Sequence, residues 1–457
     1  MIVSRNPATG EILAQFAEPD PGAVDRLLAA AARAQREWSR VDLSTRSGVL
    51  RRIAGLLRSE KPQLGRLICL EMGKPLQEAC AEVDKCAWNF DFYADSAPAF
   101  LQDEPVPSNA SDSRIVFDPM GLVLAVMPWN YPFWQVMRAA APVLAAGNGL
   151  VLKHASNVPQ CALAIEDLCN RAGLPKGLMT TLLLGSDAVA ALIRDPRIAA
   201  VTFTGSTPAG RTIASLAARE LKKQVLELGG SDPFMVLADA DIEAAATVAV
   251  KARFQNTGQS CIAAKRFIVH SSVADEFVEA FTDLTRTLVV GDPLAAGTTQ
   301  GTMARSSLRD ELHKQVLASI EGGAHLLLGG RQIDGPGAFY EPTVLDNVTM
   351  AMTVGREETF GPAAAILRVA SVEEAIQVAN DSPFGLGAAV WTADPEVGRR
   401  LSRRIESGAV FINGMVASDP RLPFGGTKAS GYGRELGVLG LREFTNIKTV
   451  WTGPVRT

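Results

Sequence analysis

The feature that most constrains this chain is a long alternation of short apolar runs with helical patterns. From Gly121 the series reads GLVLAVMP, a helix from about Gln135, LVLKHA, a helix from about Pro159, MTTLLLG, a helix from about Asp187 and AAVTFTG; a helix from Pro208, KQVLELG and PFMVLADA extend it. After Cys261 a second series follows: RFIVHS, a helix from Val273, AHLLLGG, AAAILRV, a helix from Val372, GAAVWT, a helix from Pro395 and GAVFING. Apolar strands separated by helices pair through crossovers rather than hairpins, which predicts parallel, doubly wound α/β sheets. Two such series predict two α/β domains, and 457 residues are enough to give each a core. Ahead of them, NPATGEIL (Asn6–Leu13) predicts a hairpin turn, and helical patterns cover Gly22–Trp38, Ser44–Glu71 and Leu76–Phe92. The polar stretch Asp103–Asp112 reads as an excursion from the core, and the apolar, β-branched Phe444–Trp451 predicts a closing strand.

Charge and cysteine usage narrow the partners. The formal net charge is −4 and no basic block stands out, which argues against nucleic acid and anionic membrane. The most apolar stretch, Gly121–Leu152, carries three prolines and Arg138, so it does not read as a membrane span. None of the six cysteines lies in a CxxC pair, and the four histidines have no metal-ligand spacing, so no catalytic metal is expected. The N-terminus lacks a basic-then-apolar signal region, and a cytoplasmic location is the expectation.

Three stretches carry candidate chemistry. FQNTGQSCIAAKRF (Phe254–Phe267) sets Cys261 in a loop of small and polar residues between a predicted helix, Ile242–Arg253, and a predicted strand, Lys265–His270. Lys265 and Arg266 place positive charge nearby, which is expected to lower a thiol pKa; read alone, a small buried cysteine fits equally well. VTFTGSTPAG (Val201–Gly210) is a strand, a glycine turn and a helix start, with Thr207 as the expected cap and Pro208 in the first position, an arrangement that offers free N–H groups to a phosphate. LELGGSDPF (Leu226–Phe234) puts Glu227 in an apolar strand, where an unpaired carboxylate has a raised pKa and suits a general base.

Taken with PWN (Pro128–Asn130), EETFGP (Glu357–Pro362) and LPFGGTKASGYGRE (Leu422–Glu435), these motifs resemble the aldehyde dehydrogenase superfamily, in order and spacing and over essentially the whole chain. The resemblance implies an aldehyde dehydrogenase-like α/β fold. It has a Rossmann-type cofactor domain (residues 1–100 and 120–229), an α/β catalytic domain (230–430) and a small β oligomerisation arm (101–119 and 431–457) that makes a homodimer or homotetramer. It implies Cys261 as nucleophile, Glu227 as activator of the hydrolytic water, and Asn130 with the Cys261 N–H as oxyanion donors. Trp129, Asn130, Lys153, Ser156, Gly205, Ser206, Leu228, Glu358 and Phe360 would line the site of NADP or NAD. NAD-preferring members commonly carry glutamate where Ser156 stands, so a neutral serine implies tolerance of a 2′-phosphate.

Within the superfamily the chain looks most like the short bacterial succinate-semialdehyde dehydrogenases, which oxidise a small aldehyde to the acid through a cysteine thiohemiacetal and thioester. That likeness implies that Arg138 pairs with the distal carboxylate and that Ser418 adds a hydrogen bond. Two positions depart from relatives: Gln255 stands where some carry a second arginine, and Ala263 where some carry a second cysteine. The alternatives are a broad dehydrogenase of medium-chain or aromatic aldehydes and, in another class, a non-catalytic dinucleotide-binding protein.

Overall fold

The computed structural model describes residues 1–453. The chain opens with the expected antiparallel hairpin, β1 (Ile2–Arg5) and β2 (Ile12–Phe16), followed by α1 (Pro21–Trp38), α2 (Leu43–Ser59), α3 (Lys61–Met72) and α4 (Leu76–Phe100). The single helix expected over 44–71 is two, because Pro62 fits only a first turn and the chain restarts there. The next helix runs past Phe92 to Phe100, with Pro98 inside its last turn. In the polar excursion, β3 (Glu104–Pro105) leads to β4 (Asp112–Pro119).

The first α/β unit comprises β5 (Leu122–Met127), α5 (Trp134–Ala145), β6 (Gly149–His154), α6 (Pro159–Arg171), β7 (Met179–Thr181), α7 (Val189–Arg194), β8 (Ile198–Thr204), α8 (Thr207–Arg219) and β9 (Lys223–Glu227). Its strands lie parallel in the order β9-β8-β5-β6-β7. One face packs on the side chains of α2, α4, α5 and α6, and the other on α1, α7 and α8. Cover on both faces is why LVLAVM is apolar at every position rather than at alternate ones. Strand order reverses between β5 and β8, so the loops leaving their carboxyl ends diverge and open a crevice there.

The second unit runs β10 (Asp232–Val236), α9 (Ile242–Phe254), β11 (Ala264–His270), α10 (Ala274–Arg286), α11 (Ser306–Glu321), β12 (His325–Leu328), β13 (Thr343–Asp346), α12 (Thr353–Arg356), β14 (Ala363–Val369), α13 (Val372–Asn380), β15 (Phe384–Gly385), β16 (Gly387–Trp391), α14 (Pro395–Ser402) and β17 (Ala409–Ile412). The sheet order is β12-β13-β14-β11-β10-β16-β17, parallel except at β12. The chain then returns: β18 (Thr427–Lys428) pairs with β15, and β19 (Gly431–Tyr432) adds an antiparallel edge to β9. After α15 (Gly437–Glu443), β20 (Thr445–Thr452) pairs with β4 along its whole length. The expected arm segment 431–457 is therefore divided. Residues 431–443 rejoin the first unit, only β20 joins β3 and β4, and residues 454–457 lie outside the described residues.

A buried ion pair fixes the segment that follows β5. Glu82 on α4 accepts hydrogen bonds from the N–H groups of Phe133 and Trp134 at 2.8 and 2.9 Å, closing the free amino end of α5. Its other oxygen pairs with Lys74, whose ammonium lies 3.9 Å from the Tyr131 ring centroid; both charged side chains are 1% exposed. Glu82→Ala leaves Lys74 buried without its counter-charge and two helix donors unmet. A loss of about 3–5 kcal/mol is expected, read as a lowered midpoint in urea or thermal unfolding; an unchanged midpoint would show that this pair does not hold α5.

Candidate active site

The carboxyl end of the first sheet faces the amino end of the second, and the cysteine loop lies between them. Phe254 ends α9, and the backbone then passes through three left-handed residues, Asn256 (φ 58°), Thr257 (φ 55°) and Gly258 (φ 69°). Two of these carry side chains, and such residues each cost on the order of 1–3 kcal/mol unless their surroundings hold them. Glu78 accepts the Asn256 N–H at 2.8 Å, and Asn256 Nδ2 donates to the carbonyls of Asn130 and Gln259, each at 2.9 Å. A side chain at Gly258 would collide with the Gly361 carbonyl, so the close approach requires glycine.

Two buried cations hold the rest of the loop by its carbonyls. Lys265 Nζ donates to Ser260 O at 2.9 Å and Cys261 O at 2.8 Å, and lies 3.7 Å from Glu358 Oε1. Arg253 donates to Ala264 O, Thr359 O and Gly361 O, tying the loop to the segment that bears Glu358 and Phe360. The expectation for Arg266 does not hold. Its guanidinium points away from the thiol and donates to the carbonyls of Ser231, Val378 and Ala379. Nor is the Cys261 thiol acidified: burial pushes it up to about 12, against the opposing pull of Lys265 and Arg138. Lys265 is engaged by carbonyls, so its charge positions the loop more than it stabilises a thiolate.

Asn130 is buried beside the thiol. One Nδ2 hydrogen goes to Gln259 O at 2.9 Å, and Oδ1 accepts from Gln135 Nε2 at 3.1 Å. A primary amide has a second N–H, and that one has no partner among the described residues. The loop that carries Asn130 is itself held by His154, whose Nε2 contacts Pro132 O at 2.9 Å while Nδ1 accepts from the Ala155 N–H. Burial lowers the His154 pKa to about 4, so this ring is neutral and structural. Sequence reading passed over it because its partners come from a different strand end.

Glu227 ends β9. Its carboxylate is 1% exposed and neither oxygen has a hydrogen-bond partner. Burial, then the neighbouring Glu435, raises its pKa well above the usual carboxylate range; Arg138 opposes this. The expectation of an unpaired, raised carboxylate agrees with this geometry. Arg138 is held within the protein by its Nε edge. Its Nε pairs with Glu435, its Nη2 lies 3.4 Å from Thr204 Oγ1, and the guanidinium stacks 4.8 Å from the Phe424 centroid. Only 3% of the residue is exposed, and Nη1 has no hydrogen-bond partner among the described residues. Ser418 Oγ accepts from Lys85 Nζ at 2.7 Å.

A cleft of about 350 Å³ opens at the switch point and reaches Cys261. Trp129, Asn130, Gly205, Ser206, Leu228, Glu358 and Phe360 are in its wall, as expected; Lys153 and Ser156 are not. These two leave the end of β6 one strand away, Lys153 buried and Ser156 exposed. Ser206, not Thr207, is the N-cap of α8, with Pro208 in the second position; the Ser206 side chain makes no capping bond. The Trp129 and Phe360 rings meet edge to face at 5.8 Å, and Glu358 accepts the Gly230 N–H at 3.0 Å. Burial raises the Glu358 pKa, partly offset by Lys265. The cleft is also walled by Arg305, Leu308 and Gln315 from α11 and the turn before it, which sequence reading missed. Leu308, Leu312, Val316 and Ile320 recur every four residues, and that spacing was the available signal.

The thiol's raised pKa has a measurable consequence. With the ordinary form neutral, the thiolate fraction grows about tenfold per pH unit below the pKa. The rate of Cys261 alkylation by iodoacetamide in the ligand-free protein is expected to climb from pH 7 to 10 without levelling. A plateau near neutral pH, with Cys261→Ala as the control for the other cysteines, would contradict the structure's account of the thiol.

Comparison with known proteins agrees with this geometry. A model described as the aldehyde dehydrogenase family matches residues 1–450. A probable succinate-semialdehyde dehydrogenase (NADP+) from Synechocystis is 51% identical over 450 residues, covering 98% of this chain and 99% of that protein. A succinate-semialdehyde dehydrogenase (NADP+) 1 from Mycobacterium tuberculosis is 48% identical over 453 residues, with 98% and 99% covered. The crystal structure of a succinic semialdehyde dehydrogenase from Streptococcus pyogenes, with NADP+ as cofactor, superposes with a TM-score of 0.97 at 37% identity, over 99% of this chain and 100% of that one. A match along nearly the whole length, on the fold and cysteine loop described above, places this chain in the aldehyde dehydrogenase family.

Proposed function

We propose that this protein oxidises succinate semialdehyde to succinate with NADP+. The observation that carries the reading is its full-length similarity, at about half identity, to enzymes named for that reaction. The residues present fit the cofactor. Ser206, with no capping bond of its own, leaves the amino end of α8 open to the cleft for a pyrophosphate. Trp129 and Phe360 offer flat apolar faces, and Glu358 offers a carboxylate at the Cys261 end. Ser156, exposed and uncharged after β6, puts no negative charge in the way of a 2′-phosphate. Bound there, the dinucleotide supplies the hydride acceptor.

The chain's own residues do the remaining work. The Cys261 thiol first loses its proton to solvent, and the thiolate sulfur then adds to the aldehyde carbon, forming a C–S bond and an oxyanion that the second Asn130 N–H can meet. Loss of hydride from that carbon leaves a thioester. Glu227 then takes a proton from water, the resulting hydroxide attacks the carbonyl, and the C–S bond breaks to release the acid and the Cys261 thiolate. A carboxylate with no hydrogen-bond partner and a raised pKa is a stronger base than an ordinary one, which suits it to this step.

Six free cysteines accord with a reducing cytoplasm, and no helix among the described residues is long and apolar enough to cross a membrane. β20 exposes Ile447, Val450 and Trp451, an apolar strand surface that supports self-association through the arm. In this reading the first sheet carries the cofactor groove and the second carries the nucleophile.

Steady-state kinetics on succinate semialdehyde and butanal with both cofactors test the assignment. The charged aldehyde and NADP+ are expected to be preferred, and Ser156→Glu is expected to move the ratio of kcat/KM values toward NAD+. Equal use of the two aldehydes would remove the substrate assignment and leave the family standing. Glu227→Gln is expected to acylate and then stall, giving a burst of NADPH followed by turnover slowed about a hundredfold or more, the range for losing a general base. Normal turnover without a burst would take Glu227 out of the hydrolytic step.

A further inference from the structure

Arg138 gives its Nε to Glu435, and Gln255 stands in place of an arginine, so the proposed substrate's distal carboxylate has room for a second cation beside Arg138. α4 supplies one. Lys85 projects from it to Ser418 Oγ at 2.7 Å, with its ammonium 4.5 Å from the Trp134 ring centroid. Trp134 lies one turn before Arg138 on α5, so ring and guanidinium share a helix face. α4 is pinned against α5 at this level by Asn89, whose Nδ2 donates to Met137 O at 3.1 Å. Among the described residues Lys85 makes no salt bridge and its only hydrogen-bond partner is a hydroxyl. The nearest acids are otherwise engaged: Asp419 by Arg421, and Glu82 by Lys74 and two backbone N–H groups.

A half-buried ammonium with one neutral partner is short of acceptors, since it carries three donors. Burial and the repulsion of Arg138 lower the Lys85 pKa to about 8, while Cys86, Glu82 and Asp419 pull the other way. A carboxylate arriving there meets unused N–H donors and, because Ser418 accepts from Lys85, a hydroxyl whose hydrogen is free to donate. The cleft that reaches Cys261 includes none of Lys85, Arg138 and Ser418 in its wall, which keeps this cluster apart from the cofactor groove. Arg138 Nη2 lies 3.4 Å from Thr204 Oγ1, and Thr204 is in the wall of the cleft that reaches Cys261, so the cluster adjoins that cleft.

We propose that Lys85 is a specificity-determining residue that, with the Ser418 hydroxyl, seats the distal carboxylate of the aldehyde substrate. This rests on the reading of the chain as a semialdehyde dehydrogenase and adds a second cation to its carboxylate end.

The test is the ratio of kcat/KM for succinate semialdehyde to that for butanal, in the wild-type enzyme, Lys85→Met and Lys85→Arg. Methionine keeps an unbranched apolar stem against Trp134 and removes the charge. In Lys85→Met the ratio is expected to fall about ten- to a hundredfold, the span of one charged hydrogen bond, with the loss carried by KM. Lys85→Arg is expected to recover part of it. The pH profile supplies a second readout, because kcat/KM reports groups of the free enzyme. Above about pH 8 the Lys85 ammonium is lost, so the wild-type ratio is expected to decline there, and the Lys85→Arg ratio is expected not to. A wild-type preference for succinate semialdehyde that survives Lys85→Met, or equal losses for both aldehydes, overturns the role of Lys85 and leaves the substrate assignment intact. A wild-type enzyme with no such preference overturns both.

Discussion

Lys265 holds the site together. Its ammonium is completely buried, and its partners are the carbonyls of Ser260 and Cys261 and, at longer range, the carboxylate of Glu358. A buried ammonium in an apolar core is costly unless its donors are met, and here the loop backbone meets them. The loop in turn has no ladder or helix to satisfy its own carbonyls, so each side needs the other. Arg253 does the same work from the end of α9, reaching Gly361 across the gap. The result is a thiol on irregular backbone whose position is set by side chains from two different elements. Gly230 has to be a glycine for a related reason, since a Cβ there would come within 2.5 Å of the Cys261 carbonyl.

Below this loop lies a set of charges that balance incompletely. Glu227 and Glu435 are both buried and both raised, and Arg138 is the cation between them. The arginine pairs with Glu435 and leaves Glu227 bare. A fully paired Glu227 would be a poor base; a second bare carboxylate beside it would be expensive. The arrangement gives the Nε of the cation to Glu435 rather than to Glu227. It also explains why Arg138 sits on an apolar helix without being a surface residue.

The thiol and the ammonium of Lys85 make the corresponding point about substrate recognition. Both are ionisable groups in partly desolvated surroundings, and both have their neutral forms favoured. For the thiol this means that burial favours the protonated form in the free protein. For the ammonium, whose pKa is lowered to about 8, it means that a carboxylate entering the site would stabilise a charge that burial makes costly, so binding and ionisation support one another.

The sequence by itself determined the two parallel sheets, the cysteine loop and the family motifs. All three depend on local signals: apolar runs broken by helices, a thiol among small residues, and glycines that need particular backbone angles. It also determined that Glu227 would be an unusual acid, because a carboxylate in an apolar strand has few ways to be solvated. What it did not determine were pairings between residues far apart in the chain. Arg138 with Glu435 spans nearly three hundred residues, and Lys85 with Ser418 more than three hundred. Only tertiary packing decides which of several buried charges find each other, because Coulomb energy depends on distance in space and the sequence records distance along the chain. For the same reason the direction of Arg266, away from the thiol five residues before it, was settled by which face of β11 it occupies.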